Sequence, residues 1–402
     1  MESRVRGAAA ETLFRPAFAL IWLYSLVSTL AWAMLIPVLP LFMRGPLGAG
    51  DIAVGVLVSG AFLAAAAVQP LLGRLADRRG RRLLLLGGPV VFATFVALFS
   101  LVEAPGPLFA LRAAAAIGDA AFVVGAITVV NDLAPEGRRG EAYSVYSISV
   151  WAGMGLGPVL GDLVLHTLSY DAVWLVCAGL ALSAAVLALF LPETRRGPAA
   201  RRPSGRLFTP SAVIPGLVVG LEMFGFAALL VFTPLYAQEL GMRGAGLVLL
   251  ANAAVLLAMR IFGRKLPDRL GARRSATAGV LFAVAGLTVP ALVAHPGALY
   301  LGAALFGAGH ALLYPAVFML AVGLAAEDER SAALGSLKAS EALGFAIGSA
   351  TLGVIASLTS YSGVFAFAAV ATLGGLLPLL VLRARQRAVV TPAAPAPPAG
   401  AP

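Results

Sequence analysis

Charge is what this sequence has least of: Asp, Glu, Lys and Arg make up 12 % of its 402 residues, whereas 60 % are hydrophobic. An ordinary soluble domain is about 25 % charged. That scarcity excludes a water-soluble protein of normal composition, and the bilayer must be the solvent. Cysteine is nearly absent too. Cys177 stands alone, which excludes an intrachain disulfide or a cysteine metal cluster. No GxxxxGK[ST] loop occurs, which argues against ATP-driven pumping. Ser-His-acid and metal-ligand spacings are missing as well, so an enzyme is not expected, and neither a cofactor nor a metal site is.

What is present is a series of apolar runs long enough to cross about 30 Å of hydrocarbon, roughly 20 residues each. They lie at 17–42, 52–73, 83–102, 107–130, 141–165, 172–191, 211–236, 244–263, 275–294, 298–325, 331–356 and 361–382. They lack the alternation of barrel strands, and unpaired backbone is not tolerated in lipid, so the expectation is an all-α membrane protein of twelve spanning helices. The first run is too long for a signal-peptide core, and eleven spans follow it.

The net charge of +10 is dispersed through loops, without the single basic face a nucleic-acid binder needs. With the N-terminus inside, inner segments hold 24 of the 29 Lys and Arg. Outer loops hold only Arg44 and Arg243, and Arg112, Arg260 and Lys338 fall within spans. The positive-inside rule then places both termini in the cytoplasm, with the chain in the cell's inner membrane. The expected organisation is an N-terminal arm at 1–16, a six-helix bundle at 17–192, a cytoplasmic linker at 193–210, a second bundle at 211–383 and a disordered Pro/Ala-rich tail at 384–402.

The charged turn GRLADRRGRR at Gly73–Arg82 returns, altered, as RKLPDRLGARR around Asp268, 191 residues later. The same offset carries Asp77, Arg78 and Gly80 onto Asp268, Arg269 and Gly271, and Gly118 onto Gly309. It also carries Gly153 and Gly157 onto Gly344 and Gly348, and Tyr170 onto Tyr361. Six spans per half is an even number, so the repeat is parallel, and two such bundles enclosing a central cavity suit alternating access. Gly153, Gly157 and Gly161, with Pro158, form a small-residue ridge that lets helices approach closely.

On these residues the chain resembles the major facilitator superfamily. Gly73, Asp77, Arg78, Gly80 and Arg81 match its signature between helices 2 and 3. LAWAMLIPVLP, with Ala31 where glycine is usual, resembles the first-helix motif of the twelve-span drug and proton antiporters. GLGPVLGD resembles their fifth-helix motif, with Asp162 replacing the final glycine. Arg112 and Gly118 match the fourth-helix motif, whereas Ala115 and Ala116 depart from it. The resemblance implies a cytoplasmic gate at Gly73, Asp77, Arg78, Gly80 and Arg81, echoed at Asp268 and Arg269, and proton coupling at Arg112. Around Asp268, Arg264 and Ala272 replace a glycine and an arginine, so the latch is expected to be asymmetric, stronger at Asp77.

Ionisable residues inside spans usually face a cavity or a partner. Asp119, Glu222, His310 and Glu341 lie about 15–20 Å into their helices. Arg112 and Asp119, seven apart, share a face and form either an ion pair or a proton site. Glu222 has no basic neighbour on its own helix and is either a proton carrier or an acid fixed from another helix. Lys338 stands ready to neutralise Glu341, and His310 is either a proton carrier or hydrogen-bonded to a neighbour. Arg260 is expected to reach the inner surface or to help the second latch. Trp32, Tyr24, Phe224, Phe226 and Tyr314 either wall a cavity or pack in the core.

The function expected is proton-driven export of a small organic molecule by a monomer. The partners are that substrate, protons and the lipid bilayer, without nucleic acid or ATP. The alternatives are a sugar or metabolite importer or facilitator of the same fold, and a non-transporting membrane sensor or scaffold.

Overall fold

The structure, a computed structural model, describes residues 15–135, 137–194, 209–263, 266–326 and 329–382. The linker at 195–208, Arg264, the side chain of Asp268, nearly all of the N-terminal arm and the tail from 383 onward lie outside them. Among the described residues every regular element is helical. The spans are α1 (Pro16–Arg44), α2 (Asp51–Arg79), α3 (Arg81–Leu101), α4 (Pro105–Leu133), α5 (Arg139–Thr167) and α6 (Tyr170–Leu189), then α7 (Pro210–Glu239), α8 (Gly246–Phe262), α9 (Ala272–Leu292), α10 (Pro296–Leu324), α11 (Arg330–Leu358) and α12 (Tyr361–Leu382). Eleven are long and apolar enough to cross a membrane, and α8 is an apolar helix of 17 residues.

The helices form two six-helix bundles, α1–α6 and α7–α12, whose packing repeats as the sequence does. In the first bundle Gly118 of α4 sits on the backbone of Gly88 and Phe92 in α3. In the second, Gly309 of α10 sits on Gly279 and Ala283 of α9, each 191 residues further on. A side chain at either glycine would collide with backbone, so the approach depends on its absence. The ridge Gly153, Gly157 and Gly161 packs on Leu26–Met34 of α1, and Gly344 and Gly348 pack on Gly220 and Phe224 of α7. Ser169 and Ser360 each cap the next helix, accepting from the N–H of Ala172 and Gly363.

The charged turn is built around Gly80, whose φ of 101° favours glycine, and a Cβ there would meet the Glu193 carboxylate. Gly271, its repeat mate, has φ 78°. Helix α7 is broken: Ala228–Phe232 widen into a π turn immediately before Thr233 and Pro234. Proline has no N–H to donate back to the carbonyl of Leu230, and the widened register absorbs that loss.

The two bundles meet at the face opposite the charged turns. There Gly55 of α2 lies against Ser349 and Gly353 of α11, and Gly246 of α8 lies against Pro158 and Val159 of α5. The Asp51 carboxylate accepts from the Tyr361 hydroxyl at 3.0 Å and pairs with Arg44 at 3.2 Å. Asp162 accepts from the Gly246 N–H at the start of α8, in the other bundle. The residue that departs from the fifth-helix pattern thus ties one bundle to the other, a carboxylate at the positive end of a helix.

Candidate functional site

Between the bundles lies a cavity of about 250 Å³. It is lined by α1, α4 and α5 of the first bundle and by α7, α8, α10 and α11 of the second. Tyr143, 45 % exposed, and Lys338, its side chain 52 % exposed, stand at its mouth, so it opens toward the face that carries the charged turns. The cavity lies between the tightly packed opposite face and this open one.

At its inner end His310 Nδ1 lies 2.9 Å from Glu222 Oε1, across α10 and α7. Glu222 is fully buried and its second carboxylate oxygen has no hydrogen-bond partner. The ring of His310 touches Trp151, Phe226 and Tyr314, with centroids 5.6, 5.2 and 5.4 Å away. This one contact joins α7 to α10 behind the aromatic wall of the cavity.

Nearer the mouth, Lys338 pairs with Glu341 at 2.9 Å, and the Tyr314 hydroxyl donates to the same carboxylate at 3.2 Å. Arg260 also faces the cavity, its guanidinium 5.4 Å from the centre of Trp151 and 6.0 Å from that of Tyr314. The expectation that it reaches the surface or joins a latch is therefore replaced by a place in the cavity wall.

Arg112 is not paired with Asp119. It is 94 % buried, its Nη1 has no hydrogen-bond partner, and it faces a small apolar chamber lined by Trp32, Leu35, Ile36, Leu230, Val231 and Phe345 among others. Asp119 is half-buried and makes no hydrogen bond or ion pair among the described residues. Sharing a helix face at seven-residue spacing leaves them about 10 Å apart along the axis, too far for contact without long opposed rotamers. Phe345 of α11 stacks at 4.1 Å on Phe62 of α2 and contacts Phe226 at 6.3 Å, so an aromatic layer separates this chamber from the main cavity.

Of the other aromatic candidates, Phe226 and Tyr314 line the main cavity and Trp32 the Arg112 chamber. Tyr24 is buried in the first bundle and donates to Leu85 O, and Phe224 packs toward Phe367. Trp151 and Tyr143, on the cavity face of α5, were not singled out by sequence; nothing in the local pattern distinguishes them from packing aromatics.

The described contacts of the charged turn lie within the first bundle and its end at Glu193. Asp77, its side chain 47 % exposed, pairs with Arg81 at 3.3 Å, and Arg81 pairs with Asp132 of α4 at 3.1 Å. Glu193 accepts from the N–H groups of Arg81 and Arg82. Gly73, Asp77, Arg78, Gly80 and Arg81 make no hydrogen bond or ion pair to the second bundle among the described residues, which agrees with the cavity being open on this face. No cluster of three or more His, Cys, Asp or Glu suited to a metal occurs among the described residues.

The Major Facilitator Superfamily model matches residues 21–286 and 216–401. An uncharacterised MFS-type transporter of Salmonella typhimurium is 29 % identical over 402 residues, covering 95 % of this chain and 100 % of the relative. Among solved structures, the peptide transporter POT in complex with sulfate superposes with a TM-score of 0.76 at 15 % identity, covering 93 % of this chain and 94 % of that one. A bacterial homologue of the human lysosomal transporter Spinster, inward-facing and occupied, gives 0.75 at 14 %, covering 92 % and 96 %. At these identities the solved structures speak for the fold, and the family match speaks for the lineage. The parallel bundles, the cavity between them and the match across both halves lead to one conclusion: the chain belongs to the major facilitator superfamily and is a membrane transporter, not an enzyme.

Proposed function

We propose that this transporter exports a small organic molecule from the cytoplasm across the inner membrane in exchange for protons. The observation that carries the reading is the Glu222–His310 pair: the imidazole lines a cavity that both bundles build, and the carboxylate is fully buried behind it. A proton taken up by the pair changes the charge of the cavity wall, and so changes what the wall holds. In the reading, the pair is loaded from the outer face, substrate leaves there, and the proton is released when the cavity opens inward. The positive-inside distribution makes the open face of this structure cytoplasmic. A proton entering across 100 mV gains about 2.3 kcal/mol, a sufficient drive for concentrative export.

Everted membrane vesicles, whose cytoplasmic face points outward, test this directly with a panel of ring-containing acids, amides and amines. Export by exchange predicts accumulation of at least one compound in energised vesicles and its loss when a protonophore is added. Accumulation that ignores the protonophore removes the coupling, and depletion in place of accumulation reverses the direction.

A further inference from the structure

One cation of the main cavity has no carboxylate partner. Lys338 and Glu341 neutralise one another at 2.9 Å, and Glu222 and His310 engage each other at the inner end. Arg260 alone has no ion pair and no hydrogen bond among the described residues, and its Nε is shut off from solvent. Two aromatic rings, Trp151 and Tyr314, lie beside the guanidinium at 5.4 and 6.0 Å and hold it in place. Cation–π contact stabilises this half-buried cation in part but satisfies none of its hydrogen-bond donors, of which Nε is shut off from water.

We propose that the substrate is an aromatic monocarboxylate, its anionic group bound by Arg260 and its ring seated between Trp151 and Tyr314; the proposal rests on the transport reading for its setting and names the substrate class. The planar fork of arginine matches a carboxylate with two parallel hydrogen bonds, which a ring-stacked guanidinium is already oriented to make. A guanidinium without a carboxylate beside it calls for an anionic group on the ligand. A dianion would need Lys338 freed from Glu341, and an amine would meet Arg260 as a like charge. The apolar part is set by the rings of Trp151, Phe226 and Tyr314, which offer flat faces, and by a volume of about 250 Å³, which admits one or two fused rings. Arg112 Nη1 is also a buried nitrogen without a hydrogen bond, but its chamber of about 40 Å³ has no room for an organic molecule.

The test is equilibrium binding by calorimetry to the full chain purified in detergent, with three ligands of nearly one shape: indole-3-acetate, indole-3-acetamide and tryptamine. The acid is expected to bind at least about tenfold tighter than the amide, and the amine not to bind. Arg260→Gln is expected to bring the acid down to the level of the amide, and Arg260→Lys to keep part of the preference; a retained melting temperature in both variants establishes folding. Binding of the acid unchanged in Arg260→Gln, tighter binding of the amide or the amine, or no binding of the acid overturns the proposal. No gradient is imposed, so the result for substrate class is independent of coupling and direction, which the vesicle assay decides.

Discussion

The imidazole of His310 and the carboxylate of Glu222, 88 residues apart in sequence, meet at 2.9 Å, both buried, with the imidazole in the cavity wall. Truncating one side of a buried charged pair strands the other and costs about 3–5 kcal/mol. His310→Ala is therefore expected to lower the melting temperature in detergent more than the double variant Glu222→Gln with His310→Ala does, because the double variant strands no charge. Melting curves of the wild type, both single variants and the double variant check this, and additive losses would mean that the pair is not coupled.

Much of this architecture was legible in the sequence, because lipid leaves few choices. Twelve apolar runs became twelve helices within a few residues, and the 191-residue offset reappears as matched glycine contacts, Gly118 on Gly88 and Gly309 on Gly279. The candidate site was legible as a set of residues but not as a set of partners. Spacing along one helix joined Lys338 to Glu341, a pair the structure forms, whereas Arg112 and Asp119 make no direct ion pair in it. Glu222 with His310, and Arg260 with Trp151, depend on how separate helices face one another, for which a single sequence carries no signal. Nor did composition reveal that the signature turn would be tied to Asp132 and Glu193 of its own bundle.

The closed face rests on glycine contacts, so it can be wedged. A Cβ on Gly55 runs into the carbonyl of Ser349. Gly55→Leu is expected to disfavour this closure by about 1–3 kcal/mol, where each 1.4 kcal/mol is about a tenfold shift in population. Ile36→Cys, in the Arg112 chamber, reports the change: labelling by an impermeant maleimide from the opposite face is expected to rise several-fold. The native Cys177 is buried and stays silent.

Arg112 is a cation set in an apolar chamber with one terminal nitrogen unbonded. A charge near the bilayer centre costs about 2.5–3.5 kcal/mol, so Arg112→Met is expected to raise the melting temperature while lowering transport at least about tenfold. Thermal melts and vesicle transport on the same preparation check both halves. A variant that loses both stability and transport would make Arg112 a packing residue.

In the charged turn, Arg81 is the hub. Its side chain is only 14 % exposed, and it bonds to Asp132 and to the Ala76 carbonyl, whereas Asp77 contributes an exposed i,i+4 pair. Asp77→Asn is expected to cost less than about 1 kcal/mol. Arg81→Ala, which leaves Asp132 without its cation, is expected to cost about 2–3 kcal/mol. If Asp77→Asn nevertheless impairs transport, it acts in the state where this face is closed. Melting curves with transport rates separate the two roles.

The central claim, proton exchange through Glu222, is tested most directly by a pH dye in everted vesicles holding an imposed inside-acid gradient. Adding a transported compound is expected to dissipate the gradient in the wild type and to leave it intact in Glu222→Gln, which keeps a hydrogen-bonding group beside His310 but cannot exchange the proton. Dissipation at the wild-type rate in Glu222→Gln, from protein shown to be inserted and folded, would contradict the account.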